Sequence, residues 1–157
     1  FSRAILGQVL APSLEARHAL TAIQQAAQCA GTKLRQLIHH SDHGVQYTSH
    51  AYQKWLNARG IVPSMGDVGN SYDNAYAERV IGILKQEYGL GWSFVDADQA
   101  RYAATEGVAL YNHERPHQAL AYAYPMAVYT GQATAKAFTV YQYTPAEHEP
   151  AVSLSLK

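Results

Sequence analysis

Residues 37–42, with the sequence LIHHSD, form an apolar run that ends in a carboxylate. The longer segment 34–41 has the length and apolar content of a buried β-strand, and its end delivers Asp42 to a loop that contains Gly44. In open α/β sheets, functional sites gather at strand ends of this kind. The segment therefore predicts an α/β fold with a site at Asp42.

The sequence before this strand predicts another strand and then a helix. Residues 3–10 are mostly apolar, which is typical of a buried strand. Ser13 is a favourable N-cap for the helix that follows, and Gly31 is its predicted end. This helix has one apolar stripe at helical spacing, formed by Ala16, Ala19, Leu20, Ile23 and Ala27.

The sequence after the predicted strand 34–41 predicts a helix and a short strand. Thr48 or Ser49 can cap a helix that stops at Gly60. Residues 61–65 are at best a short edge strand, because a proline within them cannot donate to a ladder. Residues 66–74 are rich in turn formers and predict a mobile loop beside the site. In the helix that stops at Gly60, the residues expected to face inward are Ala51, Tyr52, Trp55 and Leu56.

Two more helices are predicted further along the chain. The first runs from residue 74 to about 88, and its expected buried stripe is Ala77, Val80, Ile81, Leu84 and Tyr88. The second opens at a capping-box-like pair, Asp96 and Gln99, and its expected inner face is Ala100, Ala103, Ala104, Gly107, Val108 and Tyr111. The pattern breaks after Asn112. We expect residues 1–129 to form the folded domain and residues 130–157 a loosely ordered tail.

Composition places the chain among folded globular proteins. It has 157 residues, of which 48% are hydrophobic and 15% charged, and it contains no apolar run of the roughly 18 residues needed to cross a bilayer. The lone Cys29 rules out an internal disulfide and favours a reducing compartment, so we expect a cytoplasmic protein with no membrane partner. The opening Phe1, without a start methionine, suggests a truncated chain. Twelve basic residues balance twelve acidic ones, which counts against tight DNA binding by this chain alone.

Glu78 and Lys85 share one edge of the predicted helix 74–88. Thirty-five residues separate Asp42 from Glu78, and Lys85 follows Glu78 by seven. At 100° per residue, positions seven apart lie only about 20° from each other around the helix. Gly82 lies between them on the same side and leaves room for a nucleic-acid backbone. The alternative is a solvated helix with ordinary charges.

Two carboxylates from different elements suit phosphodiester chemistry. A pair of Mg²⁺ ions needs hard oxygen ligands, activates a water or a 3′-hydroxyl, and stabilises the leaving oxygen of an in-line displacement. We therefore predict Asp42 and Glu78 as ligands of a two-metal Mg²⁺ or Mn²⁺ site and Lys85 as a phosphate contact. Such a site normally needs a third carboxylate, and Glu15, in the first turn of a predicted surface helix, is a poor candidate.

Three blocks of sequence, in order, resemble the Asp-Asp-Glu transposases of bacterial insertion sequences, which are relatives of the retroviral integrase core. The blocks are HSDHGVQYTS at 40–49, SYDNAYAE at 71–78 with LKQE at 84–87, and YN at 111–112 followed by RPH at 115–117. The resemblance covers roughly residues 1–129.

The resemblance implies an RNase H-like α/β fold, with a mixed sheet and flanking helices and with the first strand apparently missing. It also implies that Asp42 and Glu78 are the second and third catalytic carboxylates and that Lys85 contacts DNA near the scissile end. The first aspartate of the family lies upstream of Phe1, so we expect this chain alone to be inactive and its two-metal site to be incomplete.

Two local interpretations remain open. His39, His40 and His43 crowd Asp42, and His113 and His117 are four residues apart, so a zinc site is conceivable; the proline between the last two argues against a shared helix face. Arg115 and His117 could contact DNA phosphate, or their segment could be a helix-ending turn held by local hydrogen bonds.

The predicted function is DNA transposition by metal-dependent strand cleavage and strand transfer. The expected partners are DNA, both the element ends and the target, and the full-length transposase through self-association, at the bacterial nucleoid. The alternative is a non-catalytic fragment that binds DNA or full-length transposase and regulates assembly. Another RNase H-like nuclease, such as a ribonuclease, is disfavoured because the block at 115–117 resembles transposases specifically.

Overall fold

The computed structural model of the chain describes residues 1–31, 34, 37–65 and 75–134. Six α-helices, a 3-10 helix at Gln118–Leu120 and two strands occur in these ranges. The α-helices are α1 Ala16–Ala30, α2 Val45–Thr48, α3 His50–Asn57, α4 Ala75–Glu87, α5 Ala97–His113 and α6 Pro125–Thr130, and the strands are β1 Ile38–Ser41 and β2 Val62–Met65. None of the described helices has both the length and the apolarity to cross a bilayer.

The two described strands pair in parallel, in register from Ile38 opposite Val62 to Ser41 opposite Met65. The pairing confirms the predicted strand at 34–41 in its last four residues and the short strand at 61–65. Because β1 ends at Ser41, the chain leaves the sheet at Asp42, as the sequence predicts.

The core beside the sheet is built by α3 and the residue that leads into β2. Tyr52, Leu56 and Ile61 are buried there. Ser49 caps α3 as predicted, because its hydroxyl accepts a hydrogen bond from the Tyr52 amide at 3.4 Å. Ala51, expected to face inward, is exposed. The partly buried residues packed on this cluster are Ala19, Leu20, Ile23, Leu34, Tyr47 and Trp55.

The strand predicted at residues 3–10 is wrong, since these residues form no strand in the structure. Side chains of the helices satisfy part of this backbone instead of a ladder. The Asn112 side-chain amide makes hydrogen bonds to both backbone groups of Ile5. It donates to the Ile5 carbonyl at 2.8 Å and accepts from the Ile5 N–H at 2.9 Å. Gly7 lies so close to α1 that a Cβ at this position would collide with the Ala22 carbonyl.

Helix α1 confirms the predicted helix and its end at Gly31, but not its cap. Glu15 is the N-cap residue, and it makes no side-chain capping hydrogen bond. The Ser13 hydroxyl, predicted as the cap, donates instead to the Glu15 carboxylate at 3.0 Å.

Helices α4 and α5 both occur where they are predicted, with one change of face. In α4 the buried residue is Ile83, whereas Ala77 and Ile81, expected in the stripe, are exposed. In α5 the capping-box-like pair is confirmed. The Asp96 carboxylate accepts from the Gln99 amide at 2.7 Å, and the Gln99 side chain accepts from the Val95 amide at 2.8 Å.

Two sequence predictions fall outside the described residues. The loop 66–74 is one of them, and most of the tail, residues 135–157, is the other. The described part of the chain continues past residue 129 through the last turn of α6, which closes at Gly131 with a φ of 79°.

Candidate functional site

Asp42 lies immediately after β1, on a turn that its own side chain stabilises. The Gly44 amide donates to Asp42 Oδ1 at 2.9 Å, the side-chain-to-backbone bond that aspartate commonly makes in turns. A Cβ at position 44 would stand 2.5 Å from Gln46 Nε2 and 2.9 Å from the same Asp42 oxygen, so a larger residue would require these side chains to move. The carboxylate is exposed and is thereby held at the strand end with access to solvent.

Glu78 and Lys85 both lie on α4, in its first and its last turn. Both side chains are exposed. A Cβ at Gly82, between them, would meet no atom within 4 Å among its described surroundings, so the surface beside it is open. The helix therefore presents a carboxylate and an ammonium on one open edge, as the helical spacing predicts.

The structure does not join these side chains by a contact. Asp42 follows a strand and Glu78 opens a helix, and the intervening residues 66–74 lie outside the described ranges. No hydrogen bond or ion pair in the described part of the chain connects the two carboxylates. Their convergence on one metal pair stays a prediction.

Arg115 forms a bidentate ion pair with Glu87. Its Nε donates to Glu87 Oε2 at 2.7 Å and its Nη2 donates to Oε1 at 2.8 Å. The hydrogen bonds from Arg115 lower the pKa of the Glu87 carboxyl, and the same bonds raise the pKa of Arg115. The side chains are 21% and 44% exposed for Arg115 and Glu87 respectively, so the pair is partly shielded from water.

His117 lies in a tight turn after α5. Its amide donates to the Ala123 carbonyl at 3.2 Å, and its carbonyl accepts from the Tyr122 amide at 2.8 Å. Its ring meets the Tyr111 ring edge-on with centroids 5.1 Å apart. Burial lowers the pKa of His117, and the neighbouring Arg115 lowers it further, so the imidazole is neutral at pH 7. The sequence-based interpretation of a turn held by local bonds describes this segment.

The histidines around Asp42 do not form a metal cluster within the described residues, where no group of three His, Cys, Asp or Glu side chains is placed to hold a metal ion. His39 is engaged elsewhere: its Nε2 lies 3.1 Å from the Tyr52 hydroxyl. His40 Nδ1 lies 3.1 Å from the Ser64 hydroxyl of the neighbouring strand.

An open cleft of about 1040 Å³ lies on a different face of α4 from Glu78. Residues 1–5, the helix, and the segment after α5 line it, but Asp42, Glu78 and Lys85 do not. Its charged lining residues are Arg3, Arg79 and Arg115, and His117 also lines it. The predicted metal ligands therefore lie on the surface of the molecule and outside this cleft.

Sequence reasoning missed the role of Glu87. A carboxylate in the last turn of a helix is disfavoured by the helix dipole, which indicates a cationic partner, but the partner, 28 residues away, has no local sequence signal. Asn112 belongs to the sequence block at 111–112, but nothing in the sequence indicates that it binds the segment around Ile5. Both are contacts across the tertiary structure.

Two family models, each described as an integrase core domain, match overlapping parts of the chain. One covers residues 1–71 and the other residues 59–125. Among curated relatives, the putative transposase for insertion sequence element IS986/IS6110 of Mycobacterium tuberculosis is 38% identical over 125 residues, 75% of this chain and 44% of its own length. The transposase for insertion sequence element IS629 of Shigella sonnei is 35% identical over 118 residues, 73% of this chain and 38% of its own length.

The chain spans less than half the length of the curated relatives it matches. Among solved structures, the catalytic core domain of BIV integrase superposes with a TM-score of 0.60 at 22% identity, over 83% of this chain and 80% of that one. A chain of a simian T-cell lymphotropic virus intasome gives 0.62 at 17% identity, over 92% and 48%. These likenesses show that the fold is RNase H-like, as predicted.

Proposed function

Since the chain belongs to the integrase core domains of insertion-sequence transposases, we propose that it contributes to DNA transposition by metal-dependent phosphoryl transfer. The observation that carries the proposal is the placement of Asp42 at the end of β1 and Glu78 at the start of α4, both exposed, within the two matched regions. The substrates we propose are the ends of the element and the target DNA.

Asp42 and Glu78 are the residues that would hold the metal. Their oxygens are the hard ligands that Mg²⁺ and Mn²⁺ prefer, and both side chains are exposed to solvent. When bound, a two-metal centre activates the attacking oxygen and stabilises the leaving one. The chain itself contributes orientation: the Gly44 amide fixes Asp42 Oδ1, and the α4 backbone fixes the position of Glu78.

Lys85 would contact the phosphate backbone of DNA. It lies two helical turns from Glu78 on the same edge of α4, and the surface beside Gly82 is open. A lysine ammonium is a mobile point charge, so it is better suited to contact a phosphate than to bind a metal ion. DNA lying along this edge would bring a phosphodiester towards Glu78.

We further propose that the 157-residue chain is inactive by itself, because two carboxylates hold a metal pair poorly. The test incubates the chain with Mg²⁺ or Mn²⁺ and DNA that carries the element ends. We expect no strand transfer; transfer that depends on Asp42 would overturn this part of the proposal. Co-assembly with full-length transposase and inhibition of it would favour the non-catalytic, regulatory alternative.

The metal ligands are tested separately by Mn²⁺ titration of the same chain. We expect Asp42→Asn and Glu78→Gln each to weaken Mn²⁺ binding by about tenfold or more, since each removes a charged oxygen ligand. Asp98→Asn is the matched control, because this exposed carboxylate lies on α5 and pairs with Arg101. Equal Mn²⁺ affinity in the wild type and in both ligand variants would refute the assignment.

A further inference from the structure

The C-terminal part of α4 contains its buried residue, whereas the first turn is exposed and packs through the Tyr76 ring against the Arg3 guanidinium, 4.1 Å from the ring centroid. Residues 75–79 are all exposed, and the buried residue of the helix is Ile83. Past the helix end, Tyr88 approaches α5 so closely that a Cβ on Gly107 would stand 3.1 Å from the Tyr88 Cβ. The buried contacts of α4 among the described residues therefore lie in its C-terminal half.

Glu87, the last residue of α4, would be unfavourable there without Arg115. The C-terminus of a helix carries partial negative charge, which repels a carboxylate. The guanidinium meets it with two hydrogen bonds of 2.7 and 2.8 Å, a fork geometry that resists rotation as well as separation. A flexible lysine could supply the charge but not this geometry.

Arg115 is itself held firmly. Its amide donates to the Leu110 carbonyl at 3.0 Å, which continues the last turn of α5. Its Nη1 lies 3.5 Å from His117 Nε2, and the His117 backbone is bonded on both sides to the 122–123 segment. The ion pair therefore joins the end of α4 to the hydrogen-bonded turn that follows α5.

The geometry points to Arg115 as a positioning residue for Glu78, acting through Glu87 and the length of α4. Glu78 precedes Glu87 by nine residues, roughly 13 Å along the helix axis, so a change of tilt at the C-terminal end of α4 displaces the carboxylate near its exposed N-terminal end. This inference rests on the proposed function for the role of Glu78. It differs from a direct phosphate contact by Arg115, because the Nε and Nη2 groups of its guanidinium already donate to the Glu87 carboxylate.

The mechanical part is tested by amide hydrogen exchange of α4 in the 157-residue chain. We expect Arg115→Glu and Glu87→Arg to speed exchange across α4 by about three- to tenfold, and the double variant Arg115→Glu/Glu87→Arg to restore it. Arg115→Lys should retain part of the wild-type protection of the α4 amides. Arg101→Glu, which breaks an exposed pair on α5, is the matched control and should leave α4 unchanged. Unchanged exchange in both single variants would overturn the inference.

The link to Glu78 is tested by Mn²⁺ affinity and DNA affinity in the same variants. We expect the single variants to weaken Mn²⁺ binding by about threefold and the charge swap to recover both affinities. Loss of DNA binding that the swap does not recover, with α4 exchange normal, would identify Arg115 as a phosphate contact and sink the positioning role. If Glu78→Gln leaves Mn²⁺ affinity unchanged while the exchange results hold, the proposed function fails and the coupling of Arg115 to α4 stands.

Discussion

Tyr52 has one of the most buried side chains in the described structure, and its hydroxyl makes a polar contact within this core. The hydroxyl lies 3.1 Å from His39 Nε2, while the Tyr47 ring packs edge-on at 5.5 Å between centroids. Burial raises the pKa of Tyr52 and lowers the pKa of His39, so both side chains are neutral at pH 7. This pair connects α3 to β1, the strand that delivers Asp42.

Replacing Tyr52 by phenylalanine should lower the free energy of unfolding by about 1 kcal/mol, because the half-buried His39 loses its partner. Tyr52→Ala should cost about 3 to 5 kcal/mol, since it also empties the core. Urea denaturation measures both, with the exposed Tyr102→Phe as control. A Tyr52→Phe variant as stable as the wild type would show that the hydroxyl contributes nothing to stability.

The lowered pKa values of His39 and His117 predict a stability that falls on mild acidification. Both histidines bind protons less readily folded than unfolded, so their contribution is complete above the ordinary value of 6.5 and is lost as pH falls towards the lowered values. Glu87, whose pKa lies below the ordinary 4.5, adds a second loss at lower pH. The charged groups that act on His117 are Arg3, Arg79, Glu87 and Arg115.

Denaturation at pH 7, 6 and 5 measures this dependence. We expect the free energy of unfolding to decrease at each step and the double variant His39→Asn/His117→Asn to show a flatter profile. Stability that is constant or increases between pH 7 and 5 would contradict the predicted effect of burial on the two imidazoles.

Among the elements, α4 and α5 differ in how their glycines are used. Gly82 lies on the open edge of α4, where a Cβ would meet no described atom within 4 Å. Gly107 is buried in α5 against Tyr88, where a Cβ would stand 3.1 Å from the Tyr88 Cβ. One glycine leaves a helix surface open, and the other permits two elements to approach.

Alanine at these two positions should therefore have opposite effects. Gly82→Ala should raise the free energy of unfolding by up to about 1 kcal/mol through helix propensity alone. Gly107→Ala should lower it by about 1 kcal/mol, because the clash with a near-backbone atom outweighs the gain in propensity. Thermal denaturation compares the two variants, and a stabilising Gly107→Ala would mean that α4 can shift away without cost.

Across the whole molecule, the block at 111–117 connects parts of the chain that are distant in sequence. Asn112 brackets Ile5, and the Tyr111 hydroxyl donates to the Arg3 carbonyl at 3.1 Å. Arg115 reaches Glu87 on α4. The end of α5 thus anchors both the first residues of the chain and the helix that carries Glu78.

Asn112→Ala should lower the free energy of unfolding by about 1 to 3 kcal/mol, because it leaves both backbone groups of Ile5 without their side-chain partner. It should also speed amide exchange at Ile5, with little effect at Tyr52, whose cluster is separate. Hydrogen exchange followed residue by residue tests this. His113→Ala, exposed at the next position, is the control. Unchanged exchange at Ile5 would show that the N-terminal segment is held by other contacts.

Local pattern was enough to predict most helices and both described strands. The capping box at Asp96, the cap at Ser49 and the stop at Gly31 are short-range signals, and the structure confirms each. The strand predicted at 3–10 failed because an apolar run indicates burial and does not say whether a strand or a side-chain amide will satisfy its backbone. The prediction of the buried face of α4 was wrong in part, because Ile83, which is buried, and Ile81, which is exposed, are equally apolar.

The sequence by itself determined the family, the order of α1, β1, α3, β2, α4 and α5, and the three residues Asp42, Glu78 and Lys85 that we propose for the site, because motif residues and helical spacing are local properties. Only the tertiary structure decided what the block at 111–117 does. The Arg115–Glu87 ion pair joins residues 28 positions apart in the sequence, and the Asn112–Ile5 hydrogen bonds join residues 107 positions apart. Both depend on how α4, α5 and the first residues pack. Such contacts form between elements and therefore leave no periodic pattern in the chain.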